Sequence, residues 1–141
     1  MDSFILGDDI RVVCVTADSF PEGIEDAHLE LNAKLTPNEK RRFFGISRPD
    51  ETGRIIYKAA ADEMFIGEAE SLGLETFLIR RGAYMSFYIK NHRDEPGSIA
   101  RAFELLLGQH EADPNGYCLE WYIGENDVKC LVPSGPEEYP Q

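Results

Sequence analysis

The sequence predicts an α+β domain made of two strand-helix-strand-strand units, giving a mainly antiparallel sheet with two helices on one face and a ligand cleft between the halves. Three observations predict it. Strand-like runs rich in β-branched and aromatic residues are interleaved with two helical stripes; the order strand, helix, strand, strand occurs twice; and each pair of consecutive strands is joined by a segment of turn formers.

Residues 10–17, IRVVCVTA, read as a first strand buried on at least one face. Ser19, Pro21 and Glu22 then supply helix-start signals, and Ile24, Ala27, His28, Leu31 and Leu35 recur at helical spacing, with an end near Thr36-Pro37. Residues 42–47 and 54–63 are apolar runs on either side of the turn-rich segment RPDETG, which predicts a hairpin. Residues 64–74 give weak signals, fitting a loop or a short helical turn. Residues 75–90 resume strand character with a break at Arg81-Gly82, after which Met85, Phe87 and Ile89 alternate with Tyr84, Ser86 and Tyr88.

Asp94 or Glu95, with Pro96, opens a second helix with the stripe Ile99, Ala102, Phe103 and Leu106, and Gly108 is placed to end it. Residues 117–123 and 128–132 form a second hairpin across Gly124, Glu125, Asn126 and Asp127. Residues 1–133 are thus read as one domain, with halves at about 10–63 and 75–133; residues 134–141, rich in Pro and Glu, are read as a frayed tail.

Apolar residues make up 43% and charged residues 28%, which fits a globular chain and excludes a wholly disordered one. Fourteen Lys and Arg against 26 Asp and Glu leave a net charge of −12, so the mean field repels polyphosphate and direct nucleic-acid binding is not expected. Cys14, Cys118 and Cys130 are odd in number and lie in apolar stretches, as small core residues of a reducing compartment do. With no basic leader and no run approaching the roughly 20 apolar residues of a membrane span, the expected location is cytoplasmic, away from membranes.

No residue pattern calls for a metal or cofactor: His28, His92 and His110 lack ligand spacing, and there is no phosphate loop or nucleophile elbow. The candidate site residue is Glu120. A symmetric closure of the last hairpin pairs Ile123 with Val128, Trp121 with Cys130 and Leu119 with Val132, an all-apolar face for a helix to cover. Glu120, Tyr122, Lys129 and Leu131 then share the other face. A carboxylate there fits two readings: a surface ion pair with Lys129, or one wall of a ligand site with Tyr84, Tyr88 and Tyr57 as candidate aromatics.

The motifs Phe43-Phe44-Gly45-Ile46-Ser47, Arg80-Arg81-Gly82-Ala83-Tyr84 and Leu119-Glu120-Trp121-Tyr122-Ile123, followed by Cys130-Leu131-Val132-Pro133, resemble the GyrI-like domains, the effector-binding domains of AraC-type and multidrug-sensing regulators. The likeness spans about residues 10–133. It implies that Glu120 sits in a hydrophobic, aromatic-lined cleft meeting cationic or lipophilic aromatic compounds, with Tyr84, Phe44, Tyr57 and Trp121 lining or supporting it; the strand faces read above add Tyr122 and Tyr88 as ligand-binding candidates.

Only about nine residues precede the first strand, so no helix-turn-helix is expected and the chain resembles a stand-alone member rather than a complete regulator. Three functions follow. The first is capture or sensing of a small hydrophobic, aromatic or cationic molecule. The second, implied by resemblance to stand-alone hydrolases of the family, is opening of strained electrophilic rings in toxic natural products, with Glu120 as the catalytic residue. The third is binding to gyrase or another protein partner.

Overall fold

The computed structural model describes residues 1–109, 113 and 115–134. The expected tail after Ser134 and His110 lie outside the described residues. The chain is α+β, with antiparallel pairing throughout, and divides into two compact units: residues 9–80, and residues 1–8 together with the chain from 81 onward. Among the described residues no helix is long and apolar enough to cross a membrane.

In the unit of residues 9–80, β2 (Ile10–Thr16) is followed by α1 (Ile24–Lys34), β3 (Phe43–Pro49), β4 (Ile55–Asp62), a short α2 (Glu68–Leu72) and β5 (Glu75–Ile79). Its sheet order is β3-β4-β2-β5. The helix α1 packs on β2 and β4, where Val13, Val15, Tyr57, Ala59 and Ala61 meet Ala27 and Leu31. A fully buried leucine such as Leu31 contributes about 1.5–3 kcal/mol.

The other unit consists of β1 (Asp2–Leu6), β6 (Gly82–Ile89), a single 3-10 turn at His92–Asp94, α3 (Ser98–Gln109), β7 (Cys118–Ile123) and β8 (Asp127–Pro133), with sheet order β1-β6-β8-β7. Here α3 packs on β6 and β8 through Ala102, Leu106, Ile99 and Phe103, against Met85, Phe87, Ile89, Val128, Cys130 and Val132. Both predicted stripes are therefore core stripes.

Three expectations change. Residues 2–6 form β1, an edge strand on β6, where no strand was expected. Residues 75–79 pair with β2, so they complete the first unit rather than open the second. The chain thus exchanges strands: β1 precedes β2 yet pairs with β6, and β5 precedes β6 yet pairs with β2. Gly108 does not end α3, which runs to Gln109; a helical glycine costs only about 1 kcal/mol.

The segment between β4 and α2 is held by a buried ion pair. Both Arg41 Nη atoms donate to the Glu68 carboxylate, at 2.9 and 2.8 Å, with side chains only 3% and 2% exposed. Arg41 also donates to the Asp62 carbonyl, and Glu68 accepts from the Met64 backbone N–H. These bonds, the Arg41 one foremost, hold the Glu68 carboxyl below its usual range. Removing one partner leaves the other charge buried. Glu68→Ala is expected to cost about 3–5 kcal/mol in urea denaturation near neutral pH, with the deficit shrinking as pH falls through the folded pKa of the carboxyl. Arg11→Ala is expected to cost less than Glu68→Ala, because Arg11 is 59% exposed, but more than the roughly 1 kcal/mol ceiling of a fully exposed pair, because the Glu63 side chain it leaves behind is only 2% exposed.

Candidate functional site

The last hairpin sets the geometry. Its register pairs Ile123 with Asp127, Tyr122 with Val128, Trp121 with Lys129, Glu120 with Cys130 and Leu119 with Leu131. This is one residue away from the symmetric closure read in the sequence. The turn contains three residues instead of four, with Gly124 at φ 62°, a left-handed conformation that glycine adopts without strain. Asp127 is fixed as the first residue of β8 by bonds from the Tyr88 hydroxyl at 2.6 Å and the Asn91 backbone N–H at 3.1 Å.

A shift of one residue exchanges the faces of a strand. Val128, Cys130 and Val132 do face α3 as expected, but the β7 side chains beside them are Cys118, Glu120 and Tyr122. Trp121 instead turns to the opposite face with Lys129. There its ring meets Phe4 edge-on at 6.2 Å between centroids, and the Lys129 ammonium lies 3.9 Å from the Phe4 centroid.

The surface pair between Glu120 and Lys129 is thereby excluded. The two residues lie on opposite faces, and Glu120 is only 7% exposed. Because α3 sits on β6 and β8, Glu120 on β7 stands at the flank of the helix. Its hydrogen-bond donor is the Tyr122 hydroxyl, two residues along on the same face. Among the described residues no ion pair includes Glu120. Burial raises its pKa, opposed in part by the Tyr122 bond. The thiols beside it are raised too: Cys118 to about 11, chiefly by burial and then by the Glu120 charge, and Cys130 further still for the same reasons.

Tyr122 extends the site outward. Its ring lies 6.1 Å from that of His92 and lines, with His92, Arg93 and the turn residues 124–127, a cavity of about 430 Å³. The His92 imidazole is held below its ordinary pKa by burial and by Arg93. Sequence reasoning missed this cavity because its wall comes from the 3-10 turn after β6.

The remaining predicted aromatics do not converge on Glu120 within its unit. Tyr84 is buried on the face turned away from α3 and shares a 2.8 Å hydrogen bond with the Tyr117 hydroxyl. Tyr88 lies on that same face, exposed, donating to Asp127. In the other unit, Tyr57 is buried under α1, 2.8 Å from His28 Nε2 and stacked on Phe20 at 6.1 Å. Phe44 is buried on the face away from α1, with the Arg42 guanidinium 5.9 Å from its centroid. Among the described residues no cluster of three or more His, Cys, Asp or Glu side chains is arranged to hold a metal.

No protein-family model matches the sequence, and no curated protein matches it. Solved structures do. The chain is similar to the integron cassette protein VCH_CASS2 from the mobile metagenome of Vibrio cholerae, at 11% identity over 94% of both chains with a TM-score of 0.66. It is similar to SAV2435, solved bound to tetraphenylphosphonium, at 14% identity over 98% of this chain and 96% of that one, TM-score 0.66. A hydrolase from Listeria innocua is also similar, at 7% identity over 94% of this chain and 90% of that one, TM-score 0.56. At these identities the likeness is one of fold.

Proposed function

We propose that this protein binds small hydrophobic molecules, cationic aromatic ones foremost, with Glu120 as the buried counter-charge and Tyr122 as its aromatic and hydrogen-bonding partner. The observation that carries this reading is a carboxylate buried at the flank of a helix with no cation paired to it among the described residues. A carboxylate in that position is costly when charged and empty. A lipophilic cation relieves the cost by bringing its own charge into a medium of low dielectric, and the Tyr122 ring adds an attraction of about 0.5–2 kcal/mol. The tetraphenylphosphonium bound to a protein of the same fold supports the reading, as does the resemblance to GyrI-like domains.

The reading fixes the sign of two pH dependences. A raised folded pKa means that the folded state holds more protons than the unfolded one between the two pKa values, so stability falls as pH rises through that window. Glu120→Gln removes this loss. In thermal melts of the empty protein the variant is expected to match the native chain near pH 4 and to exceed it near pH 8; a variant less stable at pH 8 would contradict the unpaired, buried charge. Cation binding runs the other way, strengthening with pH as the carboxyl ionises.

By calorimetry at pH 8, Glu120→Gln is expected to weaken tetraphenylphosphonium binding at least tenfold, about 1.4 kcal/mol, while leaving neutral triphenylphosphine oxide within twofold. Equal affinity of both forms for the cation would sink the proposal. Tyr122→Phe removes the bond that favours the ionised carboxyl, so it is expected to weaken the cation less than Glu120→Gln does, with the deficit largest near neutral pH.

A second reading is favoured by the Glu120–Tyr122 bond itself. A carboxylate of raised pKa is suited to take a proton from water while the water oxygen attacks an electrophilic ring carbon; the ring C–C bond that breaks passes its electron pair to a conjugated carbonyl oxygen of the substrate, which solvent protonates, and the Tyr122 bond orients the carboxylate. The hydrolase of the same fold is compatible with it. Product accumulation from a cyclopropane-bearing electrophile, beyond one equivalent and lost in Glu120→Gln, would establish turnover; stoichiometric uptake without product leaves binding alone.

A further inference from the structure

The two units correspond residue by residue, and the correspondence exposes a second site. Glu120 pairs with Cys130, which pairs with Phe87; Gly45 pairs with Ala59, which pairs with Val15. Aligned on these rows, Lys58 occupies the place of Lys129, Phe77 that of Phe4, and Ile46 that of Trp121. All lie on the face turned away from their unit's helix.

In the unit of β6 to β8 this face carries Trp121 edge-on against Phe4, with Lys129 over the Phe4 ring. In the unit of β2 to β5 the smaller Ile46 replaces the indole, and a cavity of about 440 Å³ opens there, walled by Ile46, Pro49, Ile56 and Phe77. Its charged lining is Arg48, Lys58, Asp50 and Glu51. Two of these are occupied: Lys58 donates to Glu75 at 2.7 Å and Thr16 at 2.8 Å, and Asp50 accepts from Thr52 and Arg54. The Arg48 and Glu51 side chains form no hydrogen bond or ion pair among the described residues. Arg48 pairs with Ile56 across the hairpin, so its guanidinium rises from the same face as the apolar wall.

We infer that this cavity is a binding site for a flat aromatic carboxylate, whose ring fills the space left by the missing indole and whose carboxylate takes the Arg48 fork. A planar guanidinium matches a carboxylate in two parallel bonds, and aromatic area against Ile46, Ile56 and Phe77 supplies the apolar contact. Glu51 lines the same cavity, and its negative charge opposes an anionic ligand. The site is opposite in charge preference to Glu120 and independent of it.

The test uses 1-naphthoate, with 1-naphthylmethanol as the uncharged control, titrated by calorimetry and ligand-observed NMR. Ile46→Trp, which copies the other unit, is expected to cut naphthoate binding at least tenfold. Arg48→Gln is expected to weaken naphthoate severalfold but not the alcohol, Glu51→Gln to tighten naphthoate, and Glu120→Gln to change neither. Absence of naphthoate binding, full binding by folded Ile46→Trp, or a loss that follows Glu120→Gln overturns the inference. Should Ile46→Trp fail to fold, Arg48→Gln and Glu51→Gln decide it, and unchanged affinity in both overturns it. Tetraphenylphosphonium binding by the same variants reports separately on the Glu120 site.

Discussion

The register of the β7–β8 hairpin is the constraint on which the site depends. Three residues in the turn, with Gly124 left-handed and Asp127 tied down by Tyr88 and Asn91, place Glu120 opposite Cys130 on the helix side of the sheet. With one more residue in the turn, the same strand would present Trp121 to α3 and leave Glu120 beside Lys129, where an exposed pair is worth at most about 1 kcal/mol. Burial of the carboxylate, its raised pKa and its partnership with Tyr122 all follow from that one step.

The duplication explains how one fold carries different chemistry in its two units. Strand for strand the units match, and each borrows its edge strand from the segment that leads into the other's first strand. At matched positions, however, the residues diverge in kind. Glu120 corresponds to Gly45, so at this position one unit carries a buried acid and the other no side chain; Trp121 corresponds to Ile46, and the cavity lies beside the smaller residue. The shared positions, Phe4 with Phe77 and Lys129 with Lys58, are those that pack or pair within their own sheet.

Most of the elements were legible in the sequence because they carry period: Met85, Phe87 and Ile89 on one face of a strand, or Ile99, Ala102, Phe103 and Leu106 along a helix. What escaped was set by tertiary pairing. Asp2 to Leu6 has no alternation of its own and becomes a strand because β6 offers it an edge. The five-residue α2 is too short to show period, and the buried bond from Arg41 to Glu68 joins residues 27 apart in the chain. Glu120 was visible as a carboxylate in an apolar strand, but its facing was not, since Gly124 to Asp127 fits a turn of three or four residues equally well.

The most direct measurement is the ionisation of Glu120 itself, followed by carbon-detected NMR of the side-chain carboxyl in empty protein and in protein saturated with tetraphenylphosphonium. The carboxyl is expected to titrate above the ordinary glutamate range when empty and to move down when the cation is bound. A carboxyl that titrates in the ordinary range and does not respond to the cation would contradict a buried counter-charge.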